Sequence, residues 1–346
     1  MPIGKPFIER KMFIAMREES ESGTAETTPV DADTRCILFE PSYDLMIDKI
    51  EQLVYTGGYT ELEALIGQAV GEFSLSHDLR LGLEKPEATV LAVPQIDRIL
   101  KGCGLKATPS TLVTTYTPDS DEDNGKTYTV WFFILNPDAD DICIAFKGCK
   151  GALQNKFSPA KPFTVTAKFR GTLFFADVWA DSTPAYEADP GTQLAPVILS
   201  GIMSADGDAL SCVDVMLDDG NSLVPVEDGS DVGGVLFHHI GDRKAVKYTF
   251  KVRADLQGGA EKFLQRLQQS GQLAALVFET QTVAVTLSAV DYLLKWQLVS
   301  PKFNVKTLKK DKIGDDLAWS VEGTPLQDGA TFGSQWKLTH SVVVDT

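Results

Sequence analysis

Residues 142–173 read ICIAFKGCKGALQNKFSPAKPFTVTAKFRGTL. Apolar and polar residues alternate on either side of a glycine-broken bend, which predicts strands around 142–149 and 162–170, the latter running into Gly171-Thr172. A similar order returns near 296–325: a strand, a Gly-containing bend, a second strand, and a third that ends in Gly323-Thr324. Each time the block follows a short predicted helix. One β unit written twice, with no catalytic residues in either copy, points to assembly rather than chemistry.

Working outward, 346 residues suffice for two ordinary domains, each with its own core. A hydrophobic fraction of 43% and a charged fraction of 23% are those of a globular chain. No window approaches the ~20 uninterrupted apolar residues of a membrane helix. The apolar run Phe13-Ile14-Ala15-Met16 is shorter than a signal-peptide core, so secretion is not expected. Five cysteines (Cys36, Cys103, Cys143, Cys149, Cys212) form an odd, sparse set that fits free thiols in a reducing cytoplasm. The net charge of −16 disfavours a protein that grips nucleic acid through a basic stripe. It fits a dispersed soluble protein, or a surface past which DNA slides without sticking.

Residues 1–35 read as an N-terminal arm, mobile or ordered by a partner, because 17–35 are rich in Glu, Ser, Thr and Asp without periodicity. The first β domain spans 36–176. Within it Phe73, Leu75, Leu79 and Leu81 alternate with Ser74, Ser76, Asp78 and Arg80, a half-buried strand. Pro94 opens a short helix with Ile96, Ile99 and Leu100 on one face, ended by Gly102 or Gly104. Strands follow over 111–117 and 126–135, the latter with Tyr128, Val130, Phe132 and Ile134 inward and an acidic hairpin turn before it. Residues 177–196 form the linker. The second β domain spans 197–346, where Tyr248, Phe250 and Val252 mirror the Phe73 strand and Ala260–Gln269 forms the helix.

Candidate chemistry fails on spacing. Asp119, Asp121 and Asp123 begin like a calcium loop, but the required Gly and Glu are replaced by Asn124 and Val130. Gly125-Lys126-Thr127 lacks the upstream glycine of a phosphate loop and leads into a strand. Cys143 and Cys149 stand too far apart for a zinc knuckle. His238 and His239 point to opposite faces of a strand, and Asp218-Asp219-Gly220-Asn221 reads as a hairpin turn. No catalytic residue, metal ligand or cofactor site is assigned.

Residues 65–173 resemble the major tail tube proteins of long-tailed bacteriophages. The likeness rests on the Phe73–Leu81 strand, the helix Pro94-Gln95-Ile96-Asp97-Arg98-Ile99-Leu100 with its Lys101-Gly102-Cys103-Gly104 ending, and Tyr116-Thr117-Pro118. It continues through Phe146-Lys147-Gly148-Cys149-Lys150-Gly151 to Phe163–Gly171. The resemblance implies a mainly β fold of two tandem β-sandwich units, each with one short helix, whose sheets join across subunits into a barrel. It implies a virion tail protein, assembled in the host cytoplasm, with no enzymatic activity, cofactor or membrane. Its partners would be further copies of itself, in stacked homotrimeric, pseudo-hexameric rings, together with tail terminator, distal tail and tape measure proteins. Double-stranded DNA would pass through without specific binding, past negative walls. Ser74, Ser76 and Asp78 are the expected lumen-facing residues. Tyr55, Gly57, Gly58 and Tyr59, with Asp218, Asp219 and Asn221, are the expected inter-subunit or inter-ring loops. Rival readings are a carbohydrate- or receptor-binding β-sandwich at the tail tip, displaying some of Trp131, Trp179, Trp296, Trp319 and Trp336, and a β-sandwich hydrolase.

Overall fold

The computed structural model describes residues 12–34, 39–50, 65–79, 94, 96–110, 113–119, 126–135, 140–158, 161–181, 183–184, 202–205, 208–227, 235–241, 246–253, 272–273, 275–280, 283–287, 290–328 and 335–344. The predicted 260–269 helix and Tyr55, Gly57, Gly58 and Tyr59 lie outside them. The fold is mainly β. In chain order come β1 (Met12–Glu18), β2 (Phe39–Ile50), β3 (Leu65–Asp78), helix α1 (Asp97–Gly102), β4 (Leu105–Ser110), β5 (Val113–Pro118), β6 (Tyr128–Ile134), β7 (Ile142–Phe157) and β8 (Thr164–Val178). Then come β9 (Ile202–Ala205), β10 (Asp208–Leu210), β11 (Cys212–Asp218), β12 (Leu223–Glu227), β13 (Val235–Ile240) and β14 (Lys247–Arg253). Last are β15 (Gln272–Leu273), β16 (Leu276–Glu279), β17 (Val283–Leu287), β18 (Val290–Ser300), β19 (Lys302–Ile313), β20 (Asp316–Leu326) and β21 (Lys337–Val344). Among the described residues, no helix is long and apolar enough to cross a membrane.

Two antiparallel sheets face each other. The larger has 11 strands in the order β15-β19-β20-β14-β11-β7-β8-β3-β2, with β6 on β7 and β1 on β6. The smaller has eight, β10-β9-β16-β18-β21-β5-β4, with β17 on β18. Both draw strands from the two halves of the sequence. They join at β7–β11 in the large sheet and at β5–β21 in the small one.

Period-2 patterning explains the packing. Phe73, Leu75, Phe169, Tyr248, Phe250 and Val321 on the large sheet meet Tyr116, Phe278, Trp296, Leu298 and Leu338 on the small one in one continuous buried cluster. Ile99 and Leu100 of α1, with Ile96 and Cys103 that flank it, belong to the same cluster. The helix stops as expected: Gly104 takes φ +77°, and its amide bonds to the Lys101 carbonyl.

Four expectations need correction. In β6 both faces are buried, because Trp131 and Phe133 join a second cluster with Ala15, Cys143, Ala145 and Trp179 while Val130 and Phe132 enter the main core. The acidic segment after β5 is no hairpin: β5 pairs with β4 and β21, and β6 pairs with β1 and β7, so the chain crosses between sheets. Asp218–Asn221 is likewise a crossover, since β11 lies in the large sheet and β12 pairs with β13. Within the arm, residues 12–34 are docked rather than mobile. β1 pairs along β6 from Met12 to Glu18, and Asp33, buried, is bridged by Arg17 and Arg98. Glu19 is also buried. Its carboxylate accepts the amides of Gly23 (2.8 Å) and Gly148 (2.7 Å) and the hydroxyls of Thr127 and Thr129. Burial raises its pKa despite those bonds.

Candidate assembly edges

The large sheet contains the same connectivity twice. Read from one end, β19-β20-β14-β11 is followed by β7-β8-β3-β2. In each block the earliest strand pairs with the next, that strand pairs with the last, and the last closes a hairpin with the one before it. The registers agree as well. Phe39 stands opposite Ser76, a bulge intervenes, and Ser42, Tyr43 and Asp44 face Ser74, Phe73 and Glu72. Val213 stands opposite Lys251, a bulge intervenes, and Met216, Leu217 and Asp218 face Thr249, Tyr248 and Lys247. Row by row, Leu75–Ala167–Leu153 corresponds to Phe250–Val321–Leu308. A bulge inserts one residue and turns the strand, so its recurrence at the same pair is a specific coincidence of geometry.

Where the blocks meet, β11 lies antiparallel on β7. Met216, Leu217 and Asp218 stand opposite Lys156, Asn155 and Gln154. Asp219 fastens the end of this seam. Its amide donates to the Leu153 carbonyl (3.1 Å), while its carboxylate accepts the Leu153 amide (2.7 Å), the Asn221 amide (3.0 Å) and Asn221 Nδ2 (2.9 Å). Asn221 Nδ2 also donates to the Cys103 carbonyl, tying the crossover to the end of α1. Asp219 is buried and Asp218 exposed, so of these two only Asp218 presents its side chain to solvent.

The path ends at β2 on one side and, beyond β19, at the two-residue β15 on the other. Among the described residues no strand pairs with the outer side of β2, and β15 covers β19 only at Phe303 and Asn304. The two edges differ in charge. β2 carries Glu40, Asp44 and Asp48 against Lys49, whereas β19 carries Lys302, Lys306, Lys309, Lys310 and Lys312 against Asp311. Those five lysines are exposed, and Leu308 among them is 36% exposed, although its counterpart Leu153, under β11, is 1% exposed.

The face of the large sheet turned from the core bears Ser74, Ser76 and Asp78, all half-buried. Ser76 Oγ lies 3.1 Å from Thr166 Oγ1, and Thr164 donates to Asp78 at 3.1 Å. In the second block the corresponding residues are Thr249, Lys251 and Arg253. Opposite charges pair across this face: Arg170 with Glu72, Lys247 with Glu322 (3.0 Å), Lys251 with Asp311 (2.9 Å) and Arg253 with Asp316 (3.7 Å). Bonding to Asp311 raises the Lys251 pKa, and bonding to Lys251 lowers that of Asp311. The expected negative wall is therefore not what this face carries; it is polar and mixed in sign.

Residues with chemical potential are spent on packing. Trp131, Trp296 and Trp336 are fully buried and Trp179 nearly so, leaving Trp319 half-buried; no platform of exposed tryptophans forms among the described residues. His238 and His340 are buried, and burial lowers each pKa to about 4. Burial pushes the Cys143 thiol up to about 12 and that of Cys149 well above its ordinary value, which makes both poor nucleophiles. No group of three His, Cys, Asp or Glu that could hold a metal occurs among the described residues. A cleft of about 200 Å³ beside α1 and β4 is lined by Lys101, Lys106, Lys126 and Lys150 with Glu18 and Asp119. Lys126 pairs there with Glu18, and Lys101 with Asp97 (2.7 Å).

Sequence reading missed the junction at β7–β11 and the buried carboxylates Glu19 and Asp219. For the β19 edge a signal was available, the Lys-rich run 302–312. No protein-family model matches this sequence, and no curated protein does.

Proposed function

We propose that the chain is a duplicated tail tube subunit, a virion structural protein that closes into rings which stack into a channel for the genome. The observation that carries this reading is the recurrence of one four-strand block, with the same connectivity and the same bulge, as neighbours in a single sheet. A repeat that joins head to tail inside one chain leaves a head and a tail at its ends. Heterologous contacts of that kind close into a ring when the rotation per unit divides a full turn, and closure removes the exposed edges. Three chains per ring would give six blocks. The polar face with Ser74, Ser76 and Asp78 would line the bore. Its paired charges would offer a passing phosphate backbone neither strong attraction nor strong repulsion, so conduction would be passive. Tail terminator, distal tail and tape measure proteins are the partners such a tube requires, and the virion tail is its place.

Electron microscopy of the purified full chain, over a range of protein and salt concentrations, tests this. Rings or tubes with a central bore are expected. A protein that stays monomeric throughout overturns the proposal.

A further inference from the structure

We infer that β2 of one copy adds to β19 of the next in the register already seen at β11–β7, and that opposite charge holds this seam. The strand order and the two edges carry the inference; it rests on the assembly reading for ring closure alone. Matching the blocks row by row puts Ser42, Tyr43 and Asp44 where Met216, Leu217 and Asp218 stand, with Leu45 at the position of Asp219. The same matching puts Asp311, Lys310, Lys309 and Leu308 where Lys156, Asn155, Gln154 and Leu153 stand. Transposing the internal junction then sets Ser42 opposite Asp311, Tyr43 opposite Lys310 and Asp44 opposite Lys309, with Leu45 beside Leu308.

Two features agree with that transposition, the charges at the opposed positions and along the edges, and the exposure of Leu308. The internal seam has the neutral Gln154 opposite Asp218, whereas the transposed seam has Lys309 opposite Asp44. Across the whole edges an acid-rich strand meets a lysine-rich one: β2 carries three acids against one lysine, β19 five lysines against one acid. Leu308 is exposed at the position where Leu153, covered by β11, is buried. Opposite charges directly across an antiparallel pair stabilise it, and like charges there destabilise it. A ring built this way has two kinds of seam in alternation: a covalently tethered one clipped by Asp219, and an ionic one between chains that weakens with salt.

Charge reversal tests the register. Lys309→Asp and Asp44→Lys should each weaken self-association at least about tenfold, because either change places like charges in opposition. The two together in one chain should restore it. Sedimentation velocity at ~50 mM and ~500 mM salt reads both the loss and the screening, and far-UV circular dichroism shows that each variant keeps its sheets. Independently, Ser42→Cys with Asp311→Cys should give an inter-chain disulfide on mild oxidation, while the off-register pair Tyr43→Cys with Asp311→Cys should not. If Lys309→Asp associates like the wild type, the double variant is not rescued, or the off-register pair cross-links as well, this register is wrong. Should rings still form in the microscope in that case, the assembly reading survives without it. A wild type that never associates removes both.

Discussion

Leu153 and Leu308 occupy the same row position in the two blocks, one under a neighbouring strand and one at an open edge. Truncating them separates intramolecular packing from assembly. Leu153 is 1% exposed and lies in the main core, so Leu153→Ala removes apolar contacts on all sides and leaves a cavity. The expected cost is about 3 kcal/mol, within the 2–5 kcal/mol typical of such truncations. Leu308 already has a third of its surface in water and no closed wall around it, so Leu308→Ala should cost the isolated chain about 1 kcal/mol or less. Association should reverse the ranking. Leu308 contributes its remaining apolar area only when a second copy covers it, worth roughly 1–2 kcal/mol, or about tenfold in the association constant. Urea unfolding of dilute protein, followed by circular dichroism, gives the first comparison; sedimentation of concentrated protein gives the second. Equal destabilisation of the monomer by the two changes would show that the correspondence between blocks is wrong. Undiminished association of Leu308→Ala would show that this edge is not the seam.

Asp219→Ala should cost about 3 kcal/mol, since it strips a buried carboxylate from the Leu153 amide and both Asn221 donors. Asp219→Asn, which keeps an acceptor, should lose less, and hydrogen exchange at the Leu153 amide reports the difference; unchanged protection in the alanine variant refutes the clip. Gly148→Ala should destabilise by about 2–4 kcal/mol, because φ is +60° and a Cβ would sit 2.6 Å from Phe237 Cα and 2.8 Å from the Leu236 carbonyl. A loss below about 1 kcal/mol in urea titration would mean that β13 does not press on Gly148. His340 adds a pH dependence. Its folded pKa lies near 4, below the ordinary 6.5, so the unfolded chain binds the extra proton between those values and stability falls as pH drops through that window. At pH 5 the loss from this residue is about 2 kcal/mol relative to pH 7. His340→Gln should flatten the profile by that amount, and an unchanged slope from pH 7 to 5 rules the residue out.

Sequence periodicity located most of the strands, because a strand with one buried face repeats every two residues. The Phe73 and Tyr248 strands and the short helix ending before Gly104 are legible on that ground. Partner choice was harder. The tracts on either side of Asp119–Lys126 look like a hairpin locally, yet β5 goes to β21, more than two hundred residues away, since turn-like composition marks a change of direction and not its destination. β6 defeated the pattern for another reason. Two apolar clusters sandwich it, so both of its faces are hydrophobic and the period disappears. The arm misled through composition. Its acids look like solvated residues, but Glu19 and Asp33 are anchor points whose partners, Thr127, Thr129, Gly148 and Arg98, lie far along the chain. The recurring bulge was invisible because it is a property of pairing, which no single strand displays.

Tethering two blocks changes what each seam must do. At β7–β11 the linkage within one chain makes the partner's local concentration very high, so this junction needs no long-range recognition. No two opposite charges stand directly across from each other there, and Asp219 fixes the register by hydrogen bonds to Leu153. A seam between chains must instead find its partner from solution and reject others. Lysines along an open edge discourage pairing with any strand that cannot match them, which is how many β proteins keep edges from aggregating. On β19 the same lysines would become attractive toward a strand that carries acids in phase, and in the proposed register β2 would bring Asp44 opposite Lys309. One set of charges would thus give both protection and specificity. The state that protects is also the state that recognises, so raising the salt should loosen the chosen pairing and expose the edge to unselective contacts. If the chain forms rings as proposed, the wild type at high salt should therefore lose them before it loses its tendency to aggregate, and light scattering read beside microscopy distinguishes that from a simple shift back to monomers.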